Sequence, residues 1–168
     1  MNRTFRFRFD RRTLYITALH VVLYLAIGVG LYLLYEGGYF SAWFASFVGA
    51  LLVLMSLSIP RTLLLTDEQL EVRCLLDITE LPYKEIASVR MVEPEEMRRV
   101  FPYFGPFGFF GYYGHFFDFK QFERIKIYAS EWRNMVEVMT IYEERYWISC
   151  TDAEELIRLI DEAASQEA

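Results

Sequence analysis

Between Leu14 and Ile59 this sequence has one charged side chain, Glu36. No formally charged side chain occurs in the 22 residues from Leu14 to Tyr35, nor in the 20 from Phe40 to Ile59, whose polar groups are confined to Ser41, Trp43, Ser46, Ser56 and Ser58. At about 1.5 Å of rise per helical residue, each run matches the ~30 Å hydrocarbon thickness of a bilayer. The spacing therefore predicts a hairpin of two membrane-spanning helices, 14–35 and 40–59, joined at Glu36-Gly37-Gly38-Tyr39. A cleaved signal peptide is not expected, because the first run exceeds the usual ~7–15-residue apolar core and no small-residue cleavage site follows it.

Cysteine and histidine are also scarce, with two of each: Cys74, Cys150, His20 and His115. None has metal-ligand spacing, so no metal or cofactor is expected, and the cysteines read as buried thiols of a reducing compartment. There is no nucleophile motif and no phosphate loop, and the pairs Glu95-Glu96 and Glu143-Glu144 are adjacent and solvated. The groups that catalysis requires are missing, so an enzyme is not expected. Residues 61–168 hold 12 Lys and Arg against 21 Asp and Glu. Such an acidic body is a poor nucleic-acid partner, since affinity there comes from neutralising phosphates.

Positive charge is concentrated in the flank 1–13, where Arg3, Arg6, Arg8, Arg11 and Arg12 face only Asp10. With Arg61 after the second run and no Lys or Arg in the turn, this bias predicts both termini and the soluble domain on the cytoplasmic side of a multi-pass protein. Arg3 to Phe9 alternates basic and aromatic residues, which puts rings on one face of an extended ribbon and guanidinium groups on the other. Three uses fit: a ribbon in the headgroup layer, an added strand on the soluble domain, or a topology signal without fixed structure. Inside the hairpin, pairing Tyr35 with Ala42 places Gly28 opposite Gly49, where backbones approach closely on a small-residue stripe with Ala42, Ala45 and Ser46. It also sets His20 at the depth of Ser56 and Ser58, either bonded to a serine hydroxyl or acting as a proton sensor.

Beyond Pro60 the pattern becomes strand-like. Segments 63–65 and 70–74 flank Thr66-Asp67-Glu68-Gln69, and 78–81 and 87–92 flank Pro82-Tyr83-Lys84-Glu85, a turn or single helical turn; together they predict an antiparallel meander. Pro94-Glu95-Glu96 opens a loop. Between Phe101 and Phe122 twelve of 22 residues are aromatic, with Gly105, Gly108, Gly111 and Gly114 interleaved. Phe104, Phe107, Phe109, Phe110, Tyr112 and Tyr113 are the candidate interaction surface; the other reading gives these rings to the core and the contact with the hairpin. In 123–129, Ile125, Ile127 and Ala129 alternate with Arg124, Lys126 and Tyr128, which predicts a strand with a basic outer face. With Lys120, Arg3, Arg6 and Arg8, residues Arg124 and Lys126 are candidate lipid contacts. Segments 135–142 and 145–149 form a hairpin by spacing. Thr151 and Glu154 suit a capping box for a last helix whose apolar stripe is Leu156, Ile157, Leu159, Ile160 and Ala163, with a frayed tail at 165–168.

About seven short antiparallel strands and one amphipathic C-terminal helix suit a small β-barrel, and the wording narrows the choice. Leu65-Thr66-Asp67-Glu68-Gln69-Leu70-Glu71-Val72, Leu81-Pro82-Tyr83-Lys84-Glu85-Ile86, Gly111-Tyr112-Tyr113-Gly114-His115-Phe116, Ile127-Tyr128-Ala129-Ser130 and Tyr146-Trp147-Ile148-Ser149-Cys150-Thr151-Asp152-Ala153-Glu154-Glu155-Leu156-Ile157 resemble the bacterial PH-domain families over about 61–164. The resemblance implies a pleckstrin-homology-like barrel following transmembrane helices in a bacterial cytoplasmic membrane, without a known active site. Its function is left open by the resemblance; a sheet edge that can take an added strand and the small-residue stripe of the hairpin favour a protein-interaction or assembly scaffold that binds a protein segment or its own copies, with an anionic-lipid or membrane-surface sensor built on the basic residues as the alternative. Phosphoinositide-binding members keep basic residues in the first hairpin loop; Asp67 and Glu68 stand there instead and would repel a phosphorylated headgroup, so no phosphoinositide site is expected.

Overall fold

The computed structural model describes residues 3–7, 10–34, 38–57, 59–75, 77–105 and 107–167. Two apolar helices come first after a short strand. Strand β1 (Arg3–Arg6) leads into α1 (Arg11–Leu34), whose N-terminus is capped by Asp10: its Oδ1 accepts the Thr13 N–H at 2.6 Å, a carboxylate at the positive end of the helix. Helix α1 is long and apolar enough to cross a membrane, and α2 (Tyr39–Leu57) is a second, shorter apolar helix antiparallel to it. Most of their large side chains are exposed, as on helices without a polar face to turn outward.

The pairing of the helices departs from the sequence expectation. Ser41 Oγ donates to the Gly28 carbonyl at 2.9 Å, and a methyl group added at Gly28 or Gly49 would meet nothing within 4 Å. The two glycines are therefore not a close-approach seam; both line a cavity between the helices, together with Tyr24, Phe44 and Leu52. The serine partners expected for His20, Ser56 and Ser58, fall outside the described side chains, and His20 bonds within its own helix. Its Nδ1–H donates to the Ile16 carbonyl of its own helix at 2.8 Å, and its ring packs on Phe109. Tyr35, Ser58 and the Ser56 side chain lie outside the described residues.

The body of the protein is two antiparallel-dominated sheets. The first has the order β1-β2-β3-β4, with β2 (Thr62–Leu65), β3 (Gln69–Arg73) and β4 (Ile78–Pro82). The arginine and phenylalanine ribbon is thus an added strand, in register with β2 from Arg3 opposite Leu65 to Arg6 opposite Thr62. Its alternation is used from Phe5 onward: Phe5 is buried in the core while Arg6 faces solvent, and Arg3, on the side of Phe5, lies 6.0 Å over that ring at the exposed end of the strand. A 3-10 turn, η1 (Tyr83–Glu85), then carries the chain to the second sheet, where Tyr83 is buried and its OH donates to the Thr66 carbonyl at 3.1 Å. The meander expected from periodicity is therefore split at η1.

The second sheet runs β5-β9-β10-β8-β7-β6, from β5 (Ile86–Met91), β6 (Val100–Phe104), β7 (Tyr112–Asp118), β8 (Glu123–Ala129), β9 (Met135–Thr140) and β10 (Arg145–Ser149). The expected β9–β10 hairpin is present, but β10 inserts between β9 and β8 and runs parallel to β8. Alternation of side chains is the same in either direction, so sequence pattern carries no trace of this. Among the described residues ten strands replace the seven or so expected. Among the described residues no ladder joins the two sheets, so the domain is an open sandwich, not a closed barrel.

One face of the second sheet packs on the first sheet and on α4 (Ala153–Glu167), around Leu63, Leu70, Val72, Val138, Ile148, Leu156 and Ile160. The other face forms a second core around Tyr112, Phe116, Ile125, Ile127, Met135 and Trp147, closed by a one-turn helix α3 (Pro94–Met97). Helix α4 turns in the expected stripe, but its capping box does not form: Thr151 Oγ1 donates instead to the Arg6 carbonyl at 3.0 Å, tying β1 to the helix start.

The α3 turn carries a pH-sensitive ion pair. The two terminal guanidinium nitrogens of Arg90 bond Glu96, at 2.8 and 2.9 Å, and the Glu93 N–H adds a third donor. The Arg90 hydrogen bonds, against partial desolvation, lower the Glu96 pKa to about 2. A carboxyl depressed in the folded state adds stability above its unfolded pKa of about 4.5, and loses it as pH falls through its folded value. Glu96→Gln is therefore expected to lower the melting temperature at pH 7, with the gap from wild type closing between about pH 4.5 and 2. A gap that stays constant over that window would show that the pair contributes nothing.

Candidate functional site

The helices meet the sandwich along a line of hydrogen bonds from two threonines one helical turn apart. Thr13 Oγ1 donates to the Ser130 carbonyl at 3.2 Å. Thr17 Oγ1 accepts the Phe110 N–H at 2.8 Å and lies 2.8 Å from the Thr13 carbonyl and 3.4 Å from that of Gly108. On α2, the Tyr113 OH donates to the Met55 carbonyl at 2.9 Å and the Leu75 N–H to that of Leu57 at 3.2 Å. Burial raises the Tyr113 pKa, so the phenol stays a donor at neutral pH. The sequence signal for this line was the pair Thr13 and Thr17 at i, i+4, which hydropathy alone passes over.

Above this line a cavity of about 580 Å³ opens between α2 and the splayed ends of the two sheets. Leu51, Leu54, Met55 and Phe104 form its apolar wall; Cys74, Asp77, His115 and Lys126 form the polar one. Lys126 sits 5.3 Å over the Tyr128 ring and 3.5 Å from Thr79 Oγ1, which shares a 2.5 Å hydrogen bond with Tyr128 OH. The Cys74 thiol is pushed up to about 11 by burial and then by Asp77, and Cys150 to about 12 by burial, so neither is a nucleophilic thiolate at neutral pH. Among the described residues no cluster of His, Cys, Asp and Glu suits a metal.

The aromatic stretch divides. Phe109, Tyr112 and Tyr113 are buried, against His20, in the second core and against α2, so they are structural and not an open surface. Phe107 packs edge-on to Tyr112 and Trp132 and is only partly open. Phe104, 74 % exposed, and Phe110, 42 % exposed, stay on the surface. They are joined by residues not singled out from sequence: Phe101, Tyr103, Phe119 and Phe122 are exposed, with Phe101 edge-on to Phe119 and Phe117 edge-on to both Phe119 and Phe122. Strand β6 is an outer strand of its sheet, and everything on it after Val100 faces solvent. Apolar residues on an edge strand give no pattern that separates them from core residues, which is why they were missed.

The candidate lipid contacts do not converge. Arg3 is paired with Glu155 at 2.7 Å, Arg6 is exposed on the far sheet, and Arg8 lies outside the described residues. Lys120 is in the β7–β8 turn, Arg124 lies over the Tyr103 ring at 6.0 Å, and Lys126 is in the cavity. The face bearing Arg124, Lys126 and Tyr128 is not an outer one, since Tyr128 is buried in the core between the sheets. Under the opposite face runs a buried ion network that sequence did not announce. Glu137 accepts from Trp147 Nε1 at 2.7 Å, Arg90 Nε at 2.9 Å, and Arg145 through both Nε and Nη2.

Residues 61–164, more than half of the chain, match the family model described as the bacterial PH domain. The chain belongs to the bacterial PH-domain family. The match begins four residues after the end of α2 and ends within α4, so it covers β2 to β10 and leaves β1 outside it. No curated protein and no solved structure matches the chain. A PH-like domain suggests a module that binds lipids or proteins, and the apolar N-terminal helices fit an association with a membrane.

Proposed function

We propose that this bacterial PH-domain protein is a non-catalytic scaffold in the cytoplasmic membrane, anchored by α1 and α2 with both termini and the PH domain on the cytoplasmic side. Its working surface is the β6 edge, which takes an extended protein segment from a partner or from a second copy of the chain. The observation that carries this reading is an open edge strand bearing Phe101 and Tyr103 beside Phe119 and Phe122: unpaired backbone groups supply hydrogen bonds to an added strand, and the rings supply side-chain pockets. The arginine bias of the flank supports the orientation. The dispersal of the cations, several already engaged by Glu155, Tyr103 or Tyr128, favours a protein over an anionic surface as the ligand.

A photocrosslinking amino acid at Tyr103 of the full chain in its native membrane tests this. A discrete protein adduct is expected, lost when Phe101→Asp is added. No adduct, or the same adduct from a probe at Arg158 on the exposed side of α4, by the β5 edge of the sheet, would refute it.

A further inference from the structure

We propose that the loop carrying Phe104 and Phe110 is immersed in the inner leaflet, its two exposed rings in hydrocarbon, so that the PH domain itself sits partly inside the bilayer. This rests on the membrane-anchored reading and deepens it.

The argument is one of length. The domain grips α1 at Thr17, and from Thr17 to the helix end at Leu34 the rise is about 25 Å. It grips α2 at Met55, and from Tyr39 to Met55 the rise is about 24 Å. Both fall short of the ~30 Å hydrocarbon core, and tilt shortens them further. With the outer helix ends at the outer boundary, the grip line lies inside the inner boundary and takes the loop with it. Phe110 is bonded to Thr17 itself, and Phe104 faces Leu51, Leu54 and Met55 across the cavity.

Two features of the loop suit that depth. No charged side chain occurs from Val100 to Gly114. Irregular backbone in hydrocarbon must also have its polar groups satisfied within the protein. Here Thr17 Oγ1 takes the Phe110 N–H, and the Gly108 N–H bonds the Gly111 carbonyl at 2.8 Å. A hydroxyl from the anchor helix thus serves the loop where water would otherwise do so.

Nitroxide labels on single cysteines at Phe104, Phe110, Val29 and Phe122 provide the test, in the full chain with Cys74→Ser and Cys150→Ser, reconstituted into phosphatidylethanolamine and phosphatidylglycerol liposomes. Phe122 is the aqueous control, since it lies beyond the far end of β7, about 20 Å of strand from Tyr112. Labels at 104 and 110 are expected to match Val29, with a ratio of oxygen to nickel-chelate accessibility several-fold above that at 122. If 104 and 110 match 122 while 29 reports lipid, the immersion is wrong and the anchor stands. If 29 also matches 122, the anchor reading falls and this inference with it. Should the serine replacements disturb the fold, Phe110→Trp in the otherwise native chain gives a second readout. Quenching by brominated lipid beyond that of wild type supports immersion, and unchanged quenching overturns it.

Discussion

Glu137→Ala is expected to cost the domain about 3 kcal/mol or more, a fall in melting temperature of roughly 10 °C or more for a body of this size. Glu137 is 4 % exposed and sits between Arg90, Arg145 and the Trp147 indole. Removing its carboxylate leaves Arg145, itself 5 % exposed, with only Glu123 at 3.0 Å and Gln121, and leaves the Trp147 N–H without an acceptor inside the second core. The cost is that of a buried donor and a buried cation stripped of their partner, larger than the worth of the intact pair. Adding Arg145→Ala should therefore destabilise by clearly less than the sum of the single changes. Thermal unfolding of the four proteins in detergent decides it: strict additivity, or a single-mutant shift below about 1 kcal/mol, would mean that the network is not a unit.

Gly114→Ala should be comparably damaging for a steric reason. Gly114 has φ +112°, and a Cβ there would lie 2.3 Å from the Phe104 carbonyl oxygen and 3.1 Å from Gly105 Cα. Gly105, at φ +131°, is its counterpart, with a Cβ 2.2 Å from the Tyr113 carbonyl oxygen. Both obstacles are backbone, so nothing can swing aside; the end of β6 must leave β7. The backbone conformation alone costs about 1–3 kcal/mol for a non-glycine residue, and the clash adds to it. The expected signature is loss of amide-exchange protection across β6 and β7 together with a lower melting temperature. Gly28→Ala is the contrast: with nothing within 4 Å it should be neutral or slightly stabilising. Equal effects at the two positions would contradict the geometry at both.

Which features could be read without coordinates follows from the range of the physics involved. Strands β2 to β5, the Tyr83 turn, the β9–β10 hairpin and the C-terminal amphipathic helix are governed by side-chain period and turn chemistry within a few residues, and these were legible. The capping box at Thr151 was a local signal overridden at a distance, because β1 offered the hydroxyl the Arg6 carbonyl. The glycine stripe failed for a related reason, since helix register depends on every bulky contact between the two helices and not on the glycines alone. At the candidate site, aromatic content marked the right stretch, but an edge strand and a core strand look alike in a row of rings. Phe109 and Tyr112 could not be told from Phe101 and Tyr103 until strand order was known.

By itself, then, the sequence determined two apolar helices, an acidic strand-rich domain of the bacterial PH family and a closing helix, because hydropathy and periodicity are properties of neighbours along the chain. Only the tertiary structure decided that the N-terminal ribbon is a strand, that β10 runs parallel to β8, that the sandwich stays open, and that Thr13 and Thr17 fasten α1 to Ser130 and to the Phe110 loop. Each of those depends on which distant backbone groups find one another, and strand order and docking height are set by that long-range pairing.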